Sequence, residues 1–167
     1  MLNWKINDGN FYVAKSGDDS NNGLASNPFL TIQAAVNAAA TGQKIVIGTG
    51  VYDESVNGDN KQLKFFGDGE VLLTSPGLNT FYYVGGAAEF YNLKFRDAYQ
   101  SVEGAAKFFS NCEFLDTTLN VSSPSYHNCI FINTAITAGS NTLSKCSFIH
   151  STINPSGNRL WHIKDCD

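Results

Sequence analysis

The sequence predicts an all-β fold, a parallel β-helix solenoid with a short capping α-helix near its N-terminus. Three observations predict it. The first is a repeat: Asn111, Cys112, Glu113, Phe114 and Leu115 return as Asn128, Cys129, Ile130, Phe131 and Ile132, then as Lys145, Cys146, Ser147, Phe148 and Ile149, at a constant step of 17 residues. A period that short is the mark of coils stacked like upon like. The second is composition: only 16% of the 167 residues are charged, and Gly, Ser, Thr and Asn are abundant, as many short strands and tight turns require. The third is a single helical stretch, Thr31 to Ala40, ahead of all the repeats.

The N-terminal third comes first in the chain. Ile32, Ala35, Val36 and Ala39 fall at helical spacing behind Thr31, an N-cap residue type. Gly42 and an apolar strand, Lys44 to Ile47, follow. An amphipathic helix placed there covers the first coil's apolar core and its unpaired strand edge. Residues 1–52 are therefore read as a cap of loop, helix and first strands, and residues 53–167 as coils.

Within the coils, each cysteine defines a reference column. Phe114, Phe131 and Phe148 stand two positions later, and Leu119, Ile136 and Ile153 seven later, both columns apolar throughout. Phe109, Tyr126 and Leu143 precede the cysteines by three, with Asn111, Asn128 and Lys145 as polar turn residues between two short strands. Upstream, Phe90, Asn92, Leu93 and Phe95 fit the template with Leu93 in the cysteine's place. Downstream, Ile163, Asp165 and Cys166 begin a further copy that stops at Asp167, so the last coil reads as incomplete, to be continued by more chain or covered by another. Three short strands per coil, each paired to its equivalent about 4.8 Å away, make the expected rung.

Cysteines at 112, 129, 146 and 166 come one per repeat, which reads as a ladder of buried thiols. Paired CxxC spacings that would mark zinc are missing. With a net charge of −4 and 11 Lys and Arg scattered singly, the chain has no basic stripe for a phosphate backbone, so nucleic acid is excluded as a partner. No apolar run approaches the roughly 20 residues that span a bilayer. The first ten residues carry Lys5 but no apolar core or cleavage site of a secretory signal.

Residues 11–52 carry a family resemblance. Tyr12, Val13, Ser16, Gly17, Asp18, Asp19, Ser20, Asn21 and Gly23, then Asn27, Pro28, Phe29, Thr31 to Val36, Ala38, Ala39, Gly42, Ile45 to Ile47, Gly50, Val51 and Tyr52 resemble the N-terminal cap of right-handed parallel β-helix proteins of the pectate-lyase-like superfamily. Proteins opening this way include polysaccharide lyases, glycoside hydrolases, secreted surface proteins and bacteriophage tailspikes or fibres. The resemblance thus implies carbohydrate as the ligand class.

Lyases of that superfamily use a basic residue beside calcium held by several carboxylates. Lys94 and Arg96 flank Asp97, but the cysteine template shows no accompanying carboxylate columns. The column four after the cysteine reads Asp97, Asp116, Asn133 and His150. Asp97 and Asp116 are the candidate catalytic pair, since carboxylates on adjacent rungs can sit at the roughly 5 to 9.5 Å a glycosidase uses; the alternative is a solvated turn. The loop Asp18 to Gly23 is dense in oxygen ligands yet lacks the spacing of a calcium-binding loop, and reads as a turn. No cofactor is expected, with calcium at that loop left as the alternative. Tyr82, Tyr83, Tyr91 and His150 are candidates for contact with sugar or with another subunit.

The expectation is a structural appendage protein of a phage virion, a tailspike, fibre or similar part located on the virion or outside the cell. It would be homo-oligomeric, a trimer, or joined to other virion proteins, with contact to a cell-surface polysaccharide. The alternative is a polysaccharide lyase or glycoside hydrolase, or a piece of one.

Overall fold

The computed structural model describes residues 9–75, 79–96, 100–121, 124–138, 142–155 and 162–167. It is a parallel β-solenoid. In chain order the elements are β1 (Asn10–Val13), α1 (Ile32–Ala38), β2 (Lys44–Asp53), β3 (Val56–Asn57), β4 (Leu63–Thr74), β5 (Asn79–Tyr91), β6 (Lys94–Arg96), β7 (Gln100–Ser110) and β8 (Glu113–Leu115). Then follow β9 (Thr118–Val121), β10 (Ser125–His127), β11 (Ile130–Ile132), β12 (Ala135–Ala138), β13 (Thr142–Ser144), β14 (Ser147–Ile149), β15 (Thr152–Pro155) and β16 (His162–Lys164).

These strands form three parallel faces. Face one runs from the second half of β2 through the second half of β4 to β6, β8, β11 and β14. Face two joins β1 and the first halves of β2 and β4 to the ends of β5 and β7, then β10, β13 and β16. Face three contains β3, the beginnings of β5 and β7, then β9, β12 and β15.

Strand alternation sends one column of each face inward. On face one that column is Tyr52, Leu73, Phe95, Phe114, Phe131 and Phe148; on face two it is Ile45, Phe65, Phe90, Phe109, Tyr126 and Leu143. Rings on successive rungs lie nearly parallel with centroids 5.0 Å apart for Phe95 and Phe114, and 5.1 Å for Phe90 and Phe109. That separation is close to the strand spacing itself. The two ladders meet edge to face, as Phe109 meets Phe114 at 5.5 Å and 75°, the arrangement an aromatic quadrupole favours. Cys112, Cys129 and Cys146 are buried free thiols, as their column implied. Cys129 donates to the carbonyls of Phe109 and His127, and hydrogen bonding with Cys112 together with burial pushes its thiol up, so the ladder is packing and not a reactive site.

Two corners repeat with left-handed backbone. Asn92, Asn111, Asn128, Lys145 and Asp165 have φ between 52° and 55°, and Asp116, Asn133 and His150 between 48° and 52°. Asn adopts this region more readily than most residues because its short amide bonds locally. Here the amides also bond to one another, Asn111 Nδ2 to Asn92 Oδ1 at 3.1 Å and Asn128 Nδ2 to Asn111 Oδ1 at 2.8 Å.

Helix α1 covers the first coil with Ile32, Ala35 and Val36 buried, and the Thr31 hydroxyl accepts from the Ala34 amide. It is shorter than the sequence suggests. Ala39 turns extended, and the Ala40 amide is taken by Gln43 Oε1 at 2.6 Å instead of a helical carbonyl. Glu54, reaching from just past β2, accepts from the Ile32 and Gln33 amides at 3.0 and 3.1 Å, while Lys61 Nζ donates to the Val36 carbonyl at 2.8 Å. Both ends of the helix are thereby tied to the coil. The preceding loop is a turn in its bonding, with Asp18 accepting from Ser20 and Asp19 from the Leu30 and Thr31 amides. Gly23, at φ +72°, has no room for a side chain, since a Cβ there would lie 2.3 Å from the Phe29 ring.

Candidate functional site

The column of Asp116, Asn133 and His150 is exposed on the corner between faces one and three, where the sequence placed an outward polar stack. Asn133 Nδ2 donates to Asp116 Oδ1 at 2.9 Å. The same three residues make the left-handed turn, so backbone geometry accounts for the Asn and Asp there. Asp97 lies outside the described residues. Tyr82 pairs in register with Asn57 and Glu103, and Tyr83 with Gly104; the side chains of both tyrosines also lie outside the described residues.

Tyr91 is elsewhere, on the outer surface of face two. Tyr91 and His150 thus stand on different surfaces. The Tyr91 ring is parallel to Phe66 with centroids 4.4 Å apart and tilted 53° against Phe108 at 5.7 Å. Its hydroxyl donates to Glu89 Oε2 at 2.7 Å, and Lys64 Nζ approaches the same oxygen at 2.9 Å. Burial raises the Tyr91 hydroxyl to about 12, helped by the carboxylate that it faces. Glu89 is pushed up by burial, yet the bonds from Lys64 and Tyr91 outweigh that and hold it below the ordinary carboxylate value. Lys44 lies over the Phe66 ring at 5.7 Å.

Beyond Phe108 this surface changes character. The rungs that follow place Ser125 and Thr142 in the Phe108 column, and Ser110, His127 and Ser144 in the Tyr91 column. An aromatic step thus stands beside Ser125 and Thr142, with His127 in the neighbouring column. Columns counted from the cysteines miss Phe66 and Phe108. A signal was present in the doublets Phe65–Phe66, Phe90–Tyr91 and Phe108–Phe109, where one ring of each pair must point outward.

Face one has a different surface. A shallow groove of about 470 Å³ runs over Val51, Leu72 and Leu115, with Glu70, Lys94, Arg96 and Glu113 across it. Lys94 Nζ is 2.7 Å from Glu70 Oε2 and 3.9 Å from Glu113 Oε2, and the bond from Glu70 raises its ammonium above the ordinary lysine value. Carboxylates do accompany Lys94, then, and both of them pair with it. Among the described residues no three His, Cys, Asp or Glu side chains converge as a metal site would require.

The cap and first coil, residues 15–60, match a family described as a protein of unknown function (DUF1565). No curated protein matches the chain by sequence. Among solved structures, the deglycosylated pectin methylesterase from Aspergillus niger is similar, with a TM-score of 0.54 at 14% identity over 96% of this chain and 85% of that one. A GH136 lacto-N-biosidase from Eubacterium ramulus gives 0.48 at 8% identity, covering 94% of this chain but 54% of the enzyme. A rhamnogalacturonan lyase gives 0.44 at 10% identity, over 93% and 62% of the two chains. The class defined is the parallel β-helix, and at such identities the likeness is one of fold.

Proposed function

We propose that this chain is a glycan-contacting β-helix module of a virion or other extracellular appendage, with the outer surface of face two toward the sugar. Fold alone does not select this. The observation that carries it is the end of the ring stack at Phe108 beside Ser125 and Thr142. A pyranose has an apolar C–H face and a rim of hydroxyls; an aromatic ring beside small hydroxyl side chains answers both.

Titration of the protein with a panel of neutral and uronic-acid oligosaccharides, followed by NMR shifts, tests the reading. Phe108→Ala should weaken binding about three- to tenfold, as losing one aromatic contact does. Absence of binding across the panel, or binding indifferent to Phe108→Ala, would overturn it.

Cleavage of a polysaccharide is the second reading, favoured by the exposed Asp116 carboxylate held by Asn133. Asp116→Asn and Asp97→Asn should abolish release of new reducing ends or unsaturated products under this reading. If no such release occurs in the parent protein, only the contact role stands.

A further inference from the structure

Lysines far apart in the chain meet on the outer surface of face two. Strand register sets Lys44 and Lys64 in the column of Glu89 and Phe108, and Lys164 in the column of Tyr91 and His127. Among the described outward strand residues of this face, three lysines thus stand with one carboxylate, on a chain whose net charge is −4. Counted along the sequence these lysines are single; register makes them one surface.

The carboxylate is already engaged, since Glu89 Oε2 takes Lys64 at 2.9 Å and the Tyr91 hydroxyl at 2.7 Å. Lys44 is exposed, and among the described residues no carboxylate lies within ion-pair distance of it. Its ammonium lies 5.7 Å over the Phe66 ring, an arrangement that spares N–H donors for an anion.

Spacing says what kind of anion fits. From Lys44 to Lys164 is six rung intervals, about 29 Å at roughly 4.8 Å each, and Ser110, Ser125, Thr142 and Ser144 lie between them. A nucleic acid carries a phosphate at every nucleotide and needs open ring faces for its bases. Here the lysines are sparse, and Phe66 and Tyr91 lie flat on each other at 4.4 Å. Sparse positive charge among hydroxyls matches a saccharide chain in which acidic units alternate with neutral ones.

We infer, on the reading of face two as the glycan surface, that it takes an acidic glycan. Lys44 and Lys164 meet its carboxylate or sulfate groups directly, and the hydroxyl side chains between them meet its neutral rings.

Calorimetric titration in EDTA with three hexasaccharides of one backbone tests this: alternating glucuronic acid and N-acetyl hexosamine, the same chain sulfated, and the same chain with its carboxyls reduced to alcohols. At low salt the acidic chains should bind at least about fivefold more tightly than the neutral one, and added salt should narrow the gap. Lys44→Gln should cost about two- to fivefold toward an acidic chain, the worth of one exposed ion pair, and leave the neutral chain unchanged. Preference for one acidic chain identifies carboxylate or sulfate as the group recognised. Equal binding of all three chains, still weakened by Phe108→Ala, would overturn the acidic class and leave the glycan reading standing; binding of none would overturn both. Tighter binding of a single-stranded oligonucleotide of equal charge, or acidic-chain binding indifferent to Lys44→Gln, would also overturn the acidic-glycan assignment.

Discussion

Tyr126 lies flat on Phe109, ring centroids 5.0 Å apart and planes 14° from parallel, and its hydroxyl is buried with no hydrogen-bond partner among the described residues. Its ring also meets Phe114 and Phe131 edge-on. The ring belongs to the core ladder. The hydroxyl has lost water without gaining an acceptor, and burial raises it far above its ordinary value.

Tyr126→Phe should therefore stabilise the fold by about 1 kcal/mol, the cost of one unsatisfied buried hydroxyl. Urea unfolding of the two proteins gives the comparison. A lower midpoint for the phenylalanine variant would show that the hydroxyl has a partner after all.

Asn128 occupies a left-handed corner at φ 52° and donates to Asn111. Asn128→Ala should cost about 1–2 kcal/mol, combining the left-handed penalty for a residue with Cβ and the lost amide bond. Asn128→Gly keeps the backbone freedom and should cost less. Equal losses in the two variants, read from urea midpoints, would show that backbone conformation is not what the corner demands.

Glu54 gives a pH dependence whose sign follows from its surroundings. Burial raises its carboxyl above the ordinary 4.5, more than the Ile32 and Gln33 amides lower it. A folded value above the unfolded one means that the folded state favours the protonated form. The stability contributed by Glu54 is then fully present below pH 4.5 and is lost as pH rises through the elevated folded value. Glu54→Gln should remove this component, flattening its share of the urea midpoint profile through the same interval. An unchanged profile would mean that another group sets the dependence.

How much of this was legible in the sequence depends on where the coil length is constant. From Cys112 to Cys146 the step is constant, so the columns of Phe114, Phe131 and Phe148, and of Leu119 and Ile136, were readable by counting. Helix α1 was readable for the same reason of periodicity, with only its end displaced by Gln43. Upstream the coils are longer, with Phe66 paired to Tyr91 25 residues on and Leu72 to Lys94 22 residues on. Counting in steps of 17 does not reach such partners. Phe66 was therefore not connected to Tyr91, nor Glu70 to Lys94.

By itself, the sequence determined that coils stack and which side chains fill them, because a period of hydrophobic residues is a local property that each rung repeats. Tertiary structure decided which outward residues share a face. Asp116 and Tyr91, both polar and outward in a linear reading, stand on different surfaces, whereas Lys94, Glu113 and Ile130 line up on one. The reason is geometric: neighbours in a solenoid are set by strand register across rungs, and turns of variable length place that register beyond any fixed count along the chain.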